Sequence, residues 1–258
     1  MRRRYLPGLF AVLLALIPVI ADAVCVKSEP NWLWNYDGTI GSKYRVRMTL
    51  VFRGADVSGA YFYASQLKDI PLSGRIINGT DIVLDEMDAT GKVVARFEGN
   101  FPEHDPRGRF GGSKLECETI IGSWHKLGTT ETLPVYLSME SGTFGSLTNR
   151  YLPAGASDDS LIHRNALLFW NAVKLGDKRT VASLVTYPIK VGISGGTKQI
   201  NSPKELLANY DVIFSPRYRE AIANALPYNM FVRDQGVMLG NGQVWFGPDG
   251  KVIALNNF

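Results

Sequence analysis

Apolar residues recur at every second position through the first half of this chain and at every third or fourth position in the second. Tyr44, Val46, Met48, Leu50 and Phe52 alternate with Lys43, Arg45, Arg47 and Arg53. A strand places successive side chains on opposite faces, so this segment reads as half-solvated, with one apolar and one charged face. The same alternation returns at Ile70/Leu72/Ile76, Ile82/Leu84, Val93/Ala95/Phe97, Leu115/Cys117/Thr119/Ile121 and Leu133/Val135/Leu137/Met139. The run Tyr61-Phe62-Tyr63 adds a strand with aromatic groups on both faces, one for a core and one for a contact surface or an interface between domains. Asn78-Gly79 is a two-residue hairpin turn, because both central residues of a type I′ turn need positive φ. About seven short strands in a row predict an antiparallel meander, closed or half-closed as a small barrel.

Beyond a Gly/Pro/Ser-bearing stretch the period changes. Ile162, Ala166, Phe169 and Val173 fall at helical spacing behind Asp158-Asp159-Ser160, which supplies N-cap candidates. Gly176-Asp177 ends that helix and opens a second, through Val181, Leu184 and Val185, which Pro188 closes. Tyr187 to Ile193 reads as a strand. Ser202-Pro203-Lys204-Glu205 is a capping box with proline at the first helical position, and its helix buries Leu206, Tyr210, Ile213 and Phe214. Ser215-Pro216 starts another helix, ended by Pro227. Three or four strands follow, at 230–233, 236–239, 243–246 and 251–255, joined by turns at Asn241-Gly242 and Pro248-Asp249-Gly250. The fold class is α+β: a β-rich domain over 24–140, a linker over 141–159, and helices packed on an antiparallel sheet over 160–258.

The first 23 residues read as a leader. Arg2-Arg3-Arg4 is basic, and the apolar run Leu9–Ile20 of 12 residues is too short to span a bilayer. Ala21-Asp22-Ala23 is a small-x-small cleavage site, and Asp22 stands where a lipobox before Cys25 would need a large apolar residue. The expectation is a cleaved signal peptide and a periplasmic or secreted protein without stable membrane insertion. Export makes Cys25 and Cys117 a candidate disulfide that closes a loop of about 90 residues. The formal net charge of +4 falls once the three arginines leave, so no basic excess points to nucleic acid.

No catalytic set stands out. His104, His125 and His163 lack the four-residue helical spacing of a zinc site, and Glu103-His104-Asp105 reads as a solvated turn. There is no Gly-x-Ser-x-Gly elbow, Walker loop or dinucleotide fingerprint. Asp211 and Asp234 are the candidate carboxylates; Asp211, beside a core-facing Tyr210, points partly outward, and Asp234 next to Arg233 suits a surface pair at a turn. Trp32 and Trp34, flanked by Asn31 and Asn35, either bury against the barrel or bind a sugar-like ligand.

Phe169-Trp170-Asn171-Ala172-Val173, Gly176-Asp177-Lys178, Tyr187-Pro188-Ile189, Tyr210-Asp211-Val212-Ile213-Phe214 and Gly236 to Gly242 with Val244-Trp245-Phe246 stand in a helix–strand order that resembles the nuclear transport factor 2-like superfamily, which includes ketosteroid isomerase and polyketide cyclases. The similarity is to an exported bacterial subgroup and covers the C-terminal half. It implies a cone-shaped α+β domain with a pocket lined by Trp170, Tyr187, Tyr210, Phe214, Phe231 and Trp245, with Arg233 and Asp234 at its rim. Catalytic members carry a carboxylate inside the cone, and the strand Tyr187–Ile193 has none. The expected function is therefore a non-catalytic binding protein, without metal or cofactor, that engages another protein as an inhibitor, immunity-type factor or envelope accessory factor. The alternative is a carrier of a small apolar ligand, or an isomerase, lyase or hydrolase, using the cone.

Overall fold

The computed structural model describes residues 31–108 and 117–257. Residues 1–30, which include the expected leader and Cys25, lie outside the described residues, and with them one half of the expected disulfide.

Eight antiparallel strands close into an up-and-down barrel: β1 (Trp32–Ile40), β2 (Tyr44–Arg53), β3 (Asp56–Tyr63), β4 (Ile70–Ile77), β5 (Asp81–Met87), β6 (Val93–Asn100), β7 (Thr119–Lys126) and β8 (Thr132–Phe144). Each pairs with the next, and β1 pairs with β8 to complete the ring. The alternation works as expected: Val46, Met48, Leu50 and Phe52 are buried in the interior cluster with Tyr61, Leu72, Ile82, Leu84, Phe97 and Leu137. An eight-stranded barrel has an interior just wide enough for such a filling or for one small ligand.

Two details depart from the alternation read in the sequence. Strand β1 supplies the closure, with Tyr36 and Ile40 in the core and Trp34 against it. Gly38, in the same phase, leaves a gap in that apolar row. An added Cβ there would run into the backbone carbonyl of Tyr136 on β8, so the glycine permits the close strand approach that joins the ends of the sheet. At β7 the inward residues are Ile120 and Trp124 rather than Thr119 and Ile121. Cys117 precedes the strand with φ of 61°, and this left-handed step shifts the inward phase by one residue.

The second sheet has six strands: β9 (Val185–Ile193), β10 (Gly196–Ile200), β11 (Phe231–Arg233), β12 (Gly236–Leu239), β13 (Val244–Phe246) and β14 (Val252–Asn256), in the order β10-β9-β14-β13-β12-β11. All neighbours are antiparallel except β14 and β9, which run parallel. Five helices accompany it: α1 (Asp159–Leu175), α2 (Lys178–Ser183), α3 (Pro203–Ala208), α4 (Tyr210–Ile213) and α5 (Pro216–Asn224). Their starts follow the capping chemistry. Asp158 accepts from the Ser160 N–H, Asp177 from Thr180, Ser202 from Glu205 and Ser215 from Tyr218. Gly176 ends α1 in the left-handed region, as a C-terminal glycine does. The single helix expected over 203–214 is two, interrupted at Asn209, whose side chain takes up the Glu205 carbonyl. The core of this half joins Phe169 of α1, Tyr210 and Phe214, Ile222 of α5 and Phe246 of β13.

Residues 141–159 are built into the structure. Strand β8 runs to Phe144, a short 3-10 turn spans Leu152–Ala154, and Arg150 and Tyr151 are buried. They sit where the barrel wall meets the second sheet. There Phe62, on the outer face of β3, packs edge-on against Tyr228, which stacks on His163 of α1 at 4.0 Å between centroids. The outward aromatic of the Tyr61-Phe62-Tyr63 run thus joins the two halves.

Candidate functional site

The outward positions 35, 37 and 39 of β1 and 45, 47 and 49 of β2 carry polar side chains in alternation with the core. Asn35, Asp37, Arg45 and Arg47 therefore stand together on one patch of the barrel wall. Arg47 holds Asp37 through two parallel hydrogen bonds, Nε to Oδ1 at 3.1 Å and Nη2 to Oδ2 at 3.0 Å, and Arg45 adds a third at 3.3 Å. Burial by itself pushes the Asp37 carboxyl up, but Arg47 by charge and hydrogen bonds, and then Arg45, hold it below the usual carboxylate range. The same two guanidinium groups reach the other half of the molecule: Arg45 donates to the carbonyl of Asn224 at the end of α5, and Arg47 to that of Asn229.

The register of β8 against β1 shifts at this point. Met139 faces Tyr36 and Ser141 faces Asn35, so Glu140 is an extra residue without a partner across the ladder. Such bulges re-aim side chains. Glu140 is thereby exposed on the barrel wall beside Ser141, whose hydroxyl accepts from Asn35.

Between this wall and the second sheet lies a cavity of about 490 Å³. One side is Asn35, Asp37, Arg45, Arg47, Glu140 and Ser141; the other comes from the end of α5, from Asn229, Phe231 and Met238, and from the Gly240–Gln243 turn. The size is that of a small-molecule or peptide site. Asn224, Asn241 and Glu140 make no side-chain hydrogen bond to the protein among the described residues, and each faces this space. A buried chain of donors supports the wall. Arg150 donates to Thr49 Oγ1 at 3.0 Å, Thr49 donates to Asn35 Oδ1 at 2.8 Å, and Arg150 also pairs with Asp69, which accepts from Asn229.

The residues singled out from the C-terminal half are dispersed. Phe231 lines the cleft. Tyr210 and Phe214 stack on each other at 4.6 Å and are fully buried. Trp170 packs against the same core with Lys174 over its ring. Tyr187 donates its hydroxyl to the Ala182 carbonyl. Trp245 is half-buried on β13, opposite Met238 and Ala254. Arg233 and Asp234 are exposed at the β11–β12 turn. Asp211 is exposed and pairs with Lys178.

His125 bonds Ser123 Oγ through Nε2 at 2.8 Å and Thr132 Oγ1 through Nδ1 at 3.0 Å, on the outer face of β7. Glu98 approaches the same Nε2 at 3.6 Å, so the carboxylate does not orient the ring from the far nitrogen as a triad acid does. His163 accepts the Tyr151 hydroxyl at 2.8 Å, and Trp32 and Trp34 meet edge-on at the mouth of β1. Among the described residues no group of three His, Cys, Asp or Glu stands close enough to hold a metal ion, and no helix is long and apolar enough to cross a membrane.

Sequence reasoning passed over Arg45, Arg47, Asp37 and Glu140. The arginines read as a solvated strand face, whereas Arg47 keeps only 15% of its side chain exposed. The available signal was that three arginines and an aspartate fall on the outward phase of consecutive strands. Neither a protein-family model, nor a curated protein, nor a solved structure matches this chain.

Proposed function

We propose that this is an exported, non-catalytic binding protein that engages a partner protein by taking a short polar segment of it into the cleft between the barrel and the second sheet. One observation carries the reading: a cleft of about 490 Å³ walled by a fixed Arg47–Asp37–Arg45 cluster and by the uncommitted side chains of Asn224, Asn241 and Glu140. Carboxamides match the donor–acceptor pairs of a peptide backbone, and the charged groups give polarity and register. The partner is reached outside the cytoplasm through the leader over residues 1–23, and a Cys25–Cys117 bridge belongs with that location. A nuclear transport factor 2-like ancestry for the second half remains part of the proposal. It is supported by the order of helices and strands; the packing of Tyr210 and Phe214 into the core favours the cleft over the cone as the working site.

The test is site-specific photo-cross-linking in the mature chain. A cross-linker at Asn241 should capture one envelope protein, and the same group at Leu175, 83% exposed on α1, should not. Asn224→Trp, which fills the cleft, should reduce capture at least about tenfold, or about 1.4 kcal/mol. Equal capture at both positions, or capture unchanged by Asn224→Trp, would overturn the reading.

A further inference from the structure

The barrel has a second cavity, of about 420 Å³, at the end where β5 turns into β6 and β7 into β8. Its walls include Tyr44, Tyr63, Glu86, Trp124, Lys126 and Glu131. Glu86 is unlike the others. It occupies the inward phase of β5 after Ile82 and Leu84, where a barrel of this size carries apolar groups, and it is only 9% exposed. A carboxylate in such surroundings is costly unless hydrogen-bonded and compensated in charge. The hydrogen bonds are present on one oxygen only: Oε2 accepts from the Tyr61 hydroxyl at 2.7 Å and from Trp124 Nε1 at 2.8 Å. Oε1 accepts none, and no cation pairs with Glu86 among the described residues. Lys126 is exposed at the rim, with Glu131 beside it.

The surrounding rings complete the picture. Tyr63 sits edge-on to Tyr61 at 5.5 Å and to Tyr44 at 6.1 Å, so aromatic surface lines the way from solvent to the carboxylate. Burial first, and then the charge of Glu86, raise the Tyr61 phenol far above its usual range, which keeps it a donor to Oε2. Aromatic faces attract a positive charge and accept an apolar body.

We infer that the mouth of the barrel is a binding site for an organic cation, a protonated amine with an apolar or aromatic body whose N–H group donates to Glu86 Oε1. The ammonium supplies the missing charge partner, and its body packs between Tyr44, Tyr63 and Trp124. This site is separate from the cleft, on the barrel alone, and stands or falls independently of it.

The experiment is calorimetric titration of the mature chain with 2-phenylethylammonium and with its neutral counterpart 2-phenylethanol, at neutral pH. The amine should bind saturably with one site per chain and the alcohol at least tenfold more weakly. Glu86→Gln keeps an oxygen for Tyr61 and Trp124, and should reduce amine affinity at least tenfold with an unchanged near-ultraviolet spectrum. Tyr44→Ala, a change at an exposed rim position, should weaken the amine about two- to fivefold. Equal affinity for amine and alcohol, amine affinity unaltered in folded Glu86→Gln, or no saturable amine binding up to about 10 mM would overturn the inference. If Glu86→Gln does not fold, the amine-to-alcohol ratio and the Tyr44→Ala effect decide it.

Discussion

Arg150 is one of the residues that tie the two halves together. Its guanidinium is 5% exposed and divides its donors between Thr49 on β2 and Asp69 before β4, while its backbone N–H goes to Asp159 of α1 at 2.6 Å. Removing one member of a buried pair leaves the other uncompensated, at about 3–5 kcal/mol where both are fully buried. Asp69 keeps 29% of its side chain exposed, so the expected loss for Arg150→Met is smaller, about 2–4 kcal/mol by urea denaturation. Arg150→Lys should recover little, because one ammonium cannot reproduce the planar fork that reaches both acceptors. Wild-type stability in the lysine variant would show that charge alone suffices. Little of this was legible in the sequence, since an arginine after a turn reads as surface. Glu86 was legible and went unread: Ile82, Leu84 and Glu86 share one phase, and a carboxylate on the apolar phase of a strand signals either an error of register or a site.

At the scale of elements, the sequence spoke most clearly where local chemistry and tertiary packing agree. The caps at Asp158, Asp177, Ser202 and Ser215, and the four closing strands, stand within a residue or two of the positions that their signals gave. It spoke less clearly where geometry between strands decides. Gly38 masks the apolar row of β1, and the φ of 61° at Cys117 moves β7 out of the phase read in the sequence. The parallel pairing of β9 with β14 is also a matter of chain return, which no local pattern encodes. Cys117 is 2% exposed at the start of β7, so a bond to Cys25 would fix the N-terminal segment against the barrel core. We expect the native protein to offer no thiol to alkylation and to show a two-proton mass deficit. Cys25→Ser alone, which leaves the Cys117 packing in place, should lower stability by about 2–4 kcal/mol in the absence of reductant and by nothing in its presence. Two alkylatable thiols in the native preparation would refute the bridge.

For the whole molecule, the contact between the halves holds a titratable switch of calculable sign. The Met230 N–H donates to the Tyr151 hydroxyl at 3.0 Å, and Tyr151 in turn donates to His163 Nε2, which also faces the Asn229 N–H at 3.4 Å. Nε2 is thus an acceptor, and protonating it would break those bonds beneath the Tyr228 ring. Burial first, and then the positive charge of Arg150, push His163 down to about 4, with Asp158 opposing weakly. The unfolded chain takes up that proton near pH 6.5. Between these values the unfolded state binds more protons, so the contribution of His163 is complete above about 6.5 and is lost as pH falls toward 4. The amount is up to about 3 kcal/mol. Carboxylates held low, such as Asp37 beside Arg47, give way only below the ordinary aspartate range and fall outside this window. His163→Phe keeps a ring under Tyr228 and removes the titration. It should be less stable than the wild type at pH 7.5, because Tyr151 loses its acceptor, yet lose about 2–3 kcal/mol less between pH 7.5 and pH 4.5 in urea unfolding. Parallel stability curves for the two proteins across that interval would mean that His163 is not held neutral at the junction, and that the acid sensitivity of the assembly lies elsewhere.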